Sequence, residues 1–333
     1  MVIIGLALSL SGVLVSQAAP VEKQQGPNRE VPKPIPATNI EVVKKVFFED
    51  MEKGKGKPSP PPKTGGAATG SLGDYPATGT KYAVVIGICD YPGEDNDICW
   101  SDGDSVNMYN ALIQLYGYSS ENVYLYRDTT PNHPEITDGP ATYDNILKAV
   151  NTIRDKEMAG DEVVFFFSGH GGRTTDTSGD EADGKDEVLI VHDDYEIVGI
   201  LDDTLQLWFS DFETTRIAFI FDTCLAGGQN DVAASGRVIS MATGENQSAY
   251  VYSTGDPTTE ELGEGVFSHY FVNEGMLQGK ADVYDHDKDT TLGEPNDVVV
   301  EEAFDYAKAN IPPYLKQRQK PVISDKFEND LLL

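Results

Sequence analysis

The chain of 333 residues is 39% hydrophobic and 24% charged, enough for one large domain with appendages or two small ones. Its 55 acidic residues against 25 basic ones leave a net charge of −30. That balance argues against nucleic acid, which needs Lys/Arg patches. It favours cations and basic ligands, unless the acidity serves solubility alone.

Residues 2–15 are apolar or small, carry no charge and run into Ser16-Gln17-Ala18-Ala19-Pro20. They read as an export leader over 1–19, with a short membrane anchor as the alternative. The expected location is secreted or cell-surface, with no stable membrane insertion once the leader is gone. Residues 20–80 have the Pro, Gly and Lys content of a linker or a removable pro-segment. Within it, 40–51 is amphipathic and predicts a short helix. Lys53, Lys55, Lys57, Lys63 and Lys81, and later Arg237, are candidate sites of self-cleavage.

From residue 81 the texture changes. Strands are predicted over 82–88, 122–126, 162–167, 187–192, 217–222, 238–241 and 249–252. Helices are predicted over 105–116, 143–156, 202–208, 267–277 and 296–309. Such alternation predicts an α/β fold over 81–333, a mostly parallel central sheet flanked by helices on both faces.

Two of the predicted strands end abruptly at chemistry. Phe165-Phe166-Phe167 runs into Ser168-Gly169-His170-Gly171-Gly172, and Phe219-Ile220-Phe221 into Asp222-Thr223-Cys224. A continuous apolar run is a buried parallel strand, and open α/β sheets bind ligands beyond their carboxyl ends. A thiol and an imidazole meeting there make an activated nucleophile. Either residue alone reads more simply as a buried Cys or a satisfied core His. The glycines are expected to give the tight turns that aim the imidazole. Three cysteines in an exported chain allow one disulfide and one free thiol. Cys89 and Cys99 flank one loop and are the candidate pair, two buried free thiols being the alternative. Cys224 is left over.

His170 precedes Cys224 by 54 residues, each after a strand. Ser168-Gly169-His170-Gly171 and Asp222-Thr223-Cys224-Leu225-Ala226-Gly227 resemble the histidine and cysteine motifs of the metacaspases, caspase-like cysteine peptidases. The acidic stretch around Asp183-Gly184-Lys185-Asp186-Glu187 resembles the loop that follows their histidine. The resemblance covers about residues 80–280 and is nearest to the prokaryotic, leader-bearing forms. It implies a caspase-like fold, Cys224 as nucleophile and His170 as base and then acid. The backbone N–H groups of Gly171 and Cys224 would form the oxyanion hole. It also implies cleavage after Arg or Lys, in a pocket made by Asp222 and an Asp after the first strand. The helix opening Asp104-Ser105-Val106-Asn107-Met108 selects Asp104. Asp102 stays a rival because Cys99 lies five residues before Asp104 rather than the family's three. Asp104 also suits a helix N-cap.

Residues 176–203 hold eleven acidic side chains and one lysine. They form either a solvated acidic loop or a site for a hard cation. The resemblance implies calcium, at Asp186, Asp202, Asp203 and Asp231. A weaker second candidate is Asp285, Asp287 and Asp289 with Glu302, although Thr290 stands where a calcium loop needs Gly. The expectation is a secreted, calcium-activated endopeptidase that can process itself and acts on basic polypeptides as a monomer. The alternative is a calcium-stabilised binding module that has kept the fold without the activity.

Overall fold

Strands that are apolar on both faces must be covered by two layers, and the phenylalanine runs sit at the centre of the molecule for that reason. The computed structural model describes residues 32–49, 77–98, 101–127, 137–193, 195–253, 263–284, 298–328 and 330–333. The leader, Lys53, Lys55, Lys57, Lys63, Cys99, Asp285, Asp287 and Asp289 lie outside the described residues.

In chain order the elements are β1 (Ile35–Pro36), β2 (Glu41–Val43), β3 (Val46–Glu49), β4 (Lys81–Gly87), α1 (Ser101–Gln114), β5 (Val123–Arg127) and α2 (Tyr143–Arg154). There follow β6 (Glu162–Ser168), β7 (Gly171–Thr175), β8 (Lys185–His192), β9 (Ile197–Leu201), α3 (Asp202–Trp208), β10 (Ile217–Asp222) and β11 (Arg237–Met241). The last are β12 (Tyr250–Ser253), β13 (Gly263–Gly265), α4 (Val266–Ser268), a π-helical continuation over His269–Leu277, α5 (Val300–Asn310) and β14 (Val322–Asp325).

The central six-stranded sheet has the order β14-β11-β10-β6-β4-β5. Its pairs are parallel except β11 with β14. Alternate side chains of each strand enter opposite layers. Val84, Ile86, Phe165, Phe167, Phe219 and Phe221 pack with Ile146 and Val150 of α2 and with Leu205 and Trp208 of α3. Ala83, Val85, Phe166 and Ile220 pack with Met108, Phe267, Phe271 and Phe304 on the other side. Truncating one of the fully buried phenylalanines to Ala would cost about 3–5 kcal/mol. This is the expected α/β architecture: a mostly parallel central sheet between two helical layers.

Two small sheets stand beside it. One has the order β1-β9-β8-β7-β2, the other β13-β12-β3. The 187–192 strand therefore belongs to an antiparallel sheet, with β7 and β9, rather than to the parallel one. The larger departure lies in residues 35–49. The amphipathic stretch predicted as a helix is extended: β2 pairs antiparallel with β7, and β3 pairs parallel with β12. The valines and phenylalanines there fit the helical period and a strand equally well, and two unpaired strand edges decide the outcome.

Candidate active site

The parallel register sets Asp222 of β10 opposite Ser168 of β6, and Ser168 opposite Gly87 of β4. Three strands thus end level, and His170 and Cys224 each lie two residues beyond adjacent ends. Gly169 N donates to Asp222 O at 3.3 Å and closes the gap between the two loops. The glycines matter for room rather than for turning. A methyl group at Gly171 would collide with the Cys224 carbonyl oxygen, and one at Gly169 would come within 2.6 Å of the Tyr91 hydroxyl. Neither residue has a positive φ. The strained residue is Leu225, at φ 59° directly after the thiol, a conformation non-glycine residues tolerate mainly at functional turns.

His170 is 2% exposed and held on every side. Its ring stacks on Tyr91, centroids 4.9 Å apart. Its backbone N–H donates to the Tyr91 hydroxyl at 2.9 Å, and that hydroxyl donates to Ile190 O at 3.0 Å. Nε2 lies 2.8 Å from Asn96 O, which can only accept, so Nε2 carries the hydrogen and Nδ1 keeps its lone pair. Nδ1 accepts the backbone N–H of Lys45 at 3.1 Å. Burial lowers the imidazole pKa to about 4, with the Asn96 carbonyl working against it.

Cys224 is free and also 2% exposed. Its Sγ accepts the Ala249 N–H at 3.2 Å. Burial pushes the thiol up to about 11 despite that hydrogen bond and the nearby Lys45 charge. Thiol and imidazole are therefore both neutral in this state. Cys89 is disulfide-bonded.

The pocket carboxylates lie beside each other. A Cβ on Gly265 would strike Asp222 Oδ2 and come within 2.8 Å of Asp104 Oδ2. Asp222 Oδ2 accepts from Ser268 N at 3.0 Å and Ser268 Oγ at 2.7 Å. Asp104 accepts from Gly265 N at 3.1 Å and from Ser168 Oγ at 2.6 Å. Burial holds the Asp104 carboxyl well above the usual carboxylate range, which the Lys45 charge opposes. The rival Asp102 is engaged elsewhere, by Arg127 at 2.7 Å. The unforeseen member of the site is Lys45 itself. Its Nζ lies 3.1 Å from Asp222 Oδ1, 4.0 Å from Asp104 Oδ2 and 2.9 Å from Ser168 Oγ.

Residues 81–233 match the sequence model of the metacaspase peptidase C14 domain. Over that region the chain is similar to metacaspase-type peptidase domains. It is similar to Metacaspase-1 of Kluyveromyces lactis, 32% identical over 55% of this chain and 44% of that one. It is similar also to Metacaspase-1A of Aspergillus terreus, 35% identical over 54% and 45%. The chain thus spans less than half the length of these curated relatives. In fold it resembles protein GSU0716 of Geobacter sulfurreducens, with TM-score 0.50 and 16% identity over 74% of this chain and 93% of that one.

The same region gathers a second group of carboxylates. Asp176, Asp180 and Asp186 bring oxygens within 4.8 Å of one another, as do Asp180, Asp203 and Asp231, and Glu181, Asp202 and Asp231. All four residues singled out in the sequence fall in this cluster. Asp176, Asp180 and Glu181 join it because the turn after β7 folds back over β8 and the start of α3. Burial, followed by neighbouring carboxylates, raises Asp186 to about 6. Burial raises Asp202 to about 8, against hydrogen bonds from Glu187 N and Asp203 N. Glu187, 2% exposed, rises to about 9 for the same first cause, and a Cβ on Gly228 would strike its Oε2. Glu187 thus links the cluster to the loop that follows Cys224. Glu302 of the weaker candidate has another use, accepting Val299 N at 3.1 Å at the start of α5.

Two of the candidate cleavage sites, Arg237 and Lys81, are tied down. Arg237 lies in β11 and donates to Val232 O and Phe209 O at 2.6 and 2.7 Å. Lys81 starts β4 and donates to Tyr116 O at 2.9 Å. Among the described residues no helix is long and apolar enough to cross a membrane.

Proposed function

We propose that the chain is an exported cysteine endopeptidase that cuts after Arg or Lys and is switched on by calcium. One observation carries the specificity: a lysine ammonium sits against Asp222 and Ser168 with Asp104 alongside, next to the loops of His170 and Cys224. A pocket that accepts one buried ammonium from its own chain has the charge and depth for that of a substrate, and two carboxylates also match a guanidinium.

The reaction follows from the tautomer. Asn96 holds the proton on Nε2, so Nδ1 carries the lone pair that acts as base once the Lys45 N–H is withdrawn. Nδ1 takes the Cys224 proton as sulfur attacks the carbonyl carbon of the Arg or Lys residue. The oxyanion turns toward the N–H groups of Gly171 and Cys224. Nδ1 then gives its proton to the departing amine, leaving a thioester on Cys224. A water molecule, deprotonated by Nδ1, attacks that thioester; the C–S bond breaks, the acid product departs, and Nδ1 returns the proton to the Cys224 thiolate.

The acidic cluster fits a calcium ion on donor chemistry: hard carboxylate oxygens brought together from the turn after β7, β8, the start of α3 and the loop after Cys224, with Asp186 and Asp202 raised in pKa. Asp176, Asp180, Glu181, Asp186, Asp202, Asp203 and Asp231 would hold it. With calcium held there, the charge beneath Glu187 would be neutralised and the loop after Cys224, which Glu187 touches at Gly228, would be steadied. Export is supported by the leader-like residues 2–15 and by the disulfide at Cys89. Both site residues come from one chain, which suits a monomer.

A fluorogenic peptide panel varied only at P1, with and without calcium, tests this reading. Cleavage after Arg and Lys is expected, with loss of about 10⁴-fold or more in Cys224→Ala. Preferred cleavage after Asp, or full activity in chelator, would contradict it.

A further inference from the structure

Residues 41–49 cross the candidate active site as a strap. The strap reaches it from both sides. β2 lies on β7, the strand that leaves His170, with Val43 opposite Gly171. β3 lies on β12, with Val46 opposite Tyr250. Val43 also packs against the small apolar cluster of Cys224, Leu225 and Ala249. Between the two strands the chain turns Lys45 inward, where its side chain is 0% exposed. A lysine is almost never buried this fully unless it is paired. Here Asp222, Ser168 and Asp104 provide the pairing.

We infer that the strap from Glu41 to Glu49, with Lys45 at its centre, is a tethered inhibitor that fills the Arg/Lys pocket in a non-productive register. The inference rests on the peptidase reading for the identity of the pocket, but the occupancy of the site stands apart from it.

The register is non-productive because the imidazole faces the wrong nitrogen. Cleavage after Lys45 would release the Val46 nitrogen, so the imidazole would have to protonate that atom. Val46 N–H instead donates to Ala249 O at 2.9 Å. His170 Nδ1 is taken by the N–H of Lys45 itself, on the wrong side of the carbonyl. The base is capped, the pocket is filled and the leaving nitrogen is bound elsewhere. The buried neutral thiol and neutral imidazole agree with a site at rest.

The strap is built to leave as well as to hold. Val46 is 39% exposed and Phe47 51%, so these two side chains bury little apolar surface. Glu41 meets Arg173 only at the surface, at 2.9 Å. The anchors are therefore Lys45, the Val43 contact and the backbone pairing on either side. Segments with few buried apolar contacts open at low free-energy cost. A tethered occupant lowers apparent substrate affinity by the fraction of time the site is open.

The test compares the full chain with Lys45→Ala and Lys45→Arg. Two readouts are taken: alkylation of Cys224 by iodoacetamide, located by mass spectrometry, and hydrolysis of an arginyl fluorogenic peptide. Lys45→Ala is expected to raise both rates about tenfold or more, while Lys45→Arg stays near the parent chain. A synthetic peptide spanning 38–50 should then inhibit Lys45→Ala in competition with substrate, which also guards against a variant that has merely loosened its fold. Equal alkylation in all three chains would overturn the inference. So would self-cleavage between Lys45 and Val46 in the parent chain that Cys224→Ala abolishes, since the strap would then be a substrate. Faster alkylation without any peptide hydrolysis would keep the strap and sink the peptidase reading.

Discussion

Asp104 and Asp222 lie together beside an ammonium that the chain itself supplies, whereas Asp176, Asp180, Asp186, Asp202, Asp203 and Asp231 lie mostly against one another. The first pair is buried in a pocket lined by Ser168, Gly265 and Ser268, with hydrogen bonds that fix each carboxylate. The second group is drawn from the turn after β7, from β8, from the start of α3 and from the loop after Cys224. Burial and then neighbouring carboxylates raise Asp186, Asp203 and Asp231, whereas hydrogen bonds within its own turn, from Gly179 N first, hold Asp176 below the usual range. A one-sided pair of fixed carboxylates suits a cation carried on a side chain. A ring of carboxylates from several loops suits a small hard ion. Two acidic groups of one chain thus suit different kinds of cation, and the surrounding donors tell them apart.

Substitutions can break that contrast. Asp222→Asn should reduce kcat/KM on arginyl and lysyl peptides by about a hundredfold or more, because it strips a buried charge pair. The calcium midpoint should not move in that variant. A loss confined to the calcium response would merge the two groups. In the other direction, Asp203→Asn or Asp231→Asn should raise the calcium concentration for half-maximal activity about tenfold, with the P1 preference unchanged in the peptide panel.

The pH dependence sharpens the same contrast. With Asp186 raised to about 6 and Asp202 to about 8, the folded cluster keeps protons that the unfolded chain has released. Their contribution to stability is present below the ordinary carboxylate range and is lost as pH rises through the folded values. In chelator, the thermal midpoint should fall by a few degrees, about 3–6 °C, between pH 5 and pH 8. Calcium should flatten that slope by taking the place of the protons. A slope that persists in calcium would place the ion elsewhere. The smallest effect is expected at Ser168→Ala, which removes a hydroxyl acceptor for an ammonium. Its lysyl-to-arginyl activity ratio should fall about two- to fivefold, the size of a single net hydrogen bond.

The strands that frame the site were legible because their own residues demand burial. Phe165 to Phe167 and Phe219 to Phe221 have no other stable place, and their abrupt polar ends mark His170 and Cys224. The acidic cluster was legible in four members, since carboxylate density is a local property. Asp176, Asp180 and Glu181 needed the turn after β7 before their distance from Asp203 and Asp231 could be known. Lys45 was not legible at all. Its burial is created by Ser168, Asp222 and Asp104, more than fifty residues further along, and nothing adjacent to it in sequence signals a partner. The extended form of 41–49 has the same origin, in the free edges of β7 and β12. Tyr91 and Asn96, which set the ring and the tautomer of His170, act through a hydroxyl and a backbone carbonyl that no side-chain pattern reveals.

The central claim is that Cys224 is a nucleophile served by His170 at the mouth of a two-carboxylate pocket. Trapping with an arginyl chloromethyl ketone in calcium, with mass-spectrometric location of the adduct, tests it most directly. The account predicts one adduct on Cys224, absent with the aspartyl reagent and strongly reduced in Asp222→Asn. Equal labelling by both reagents, or an arginyl adduct on another residue with Cys224 untouched, would contradict it.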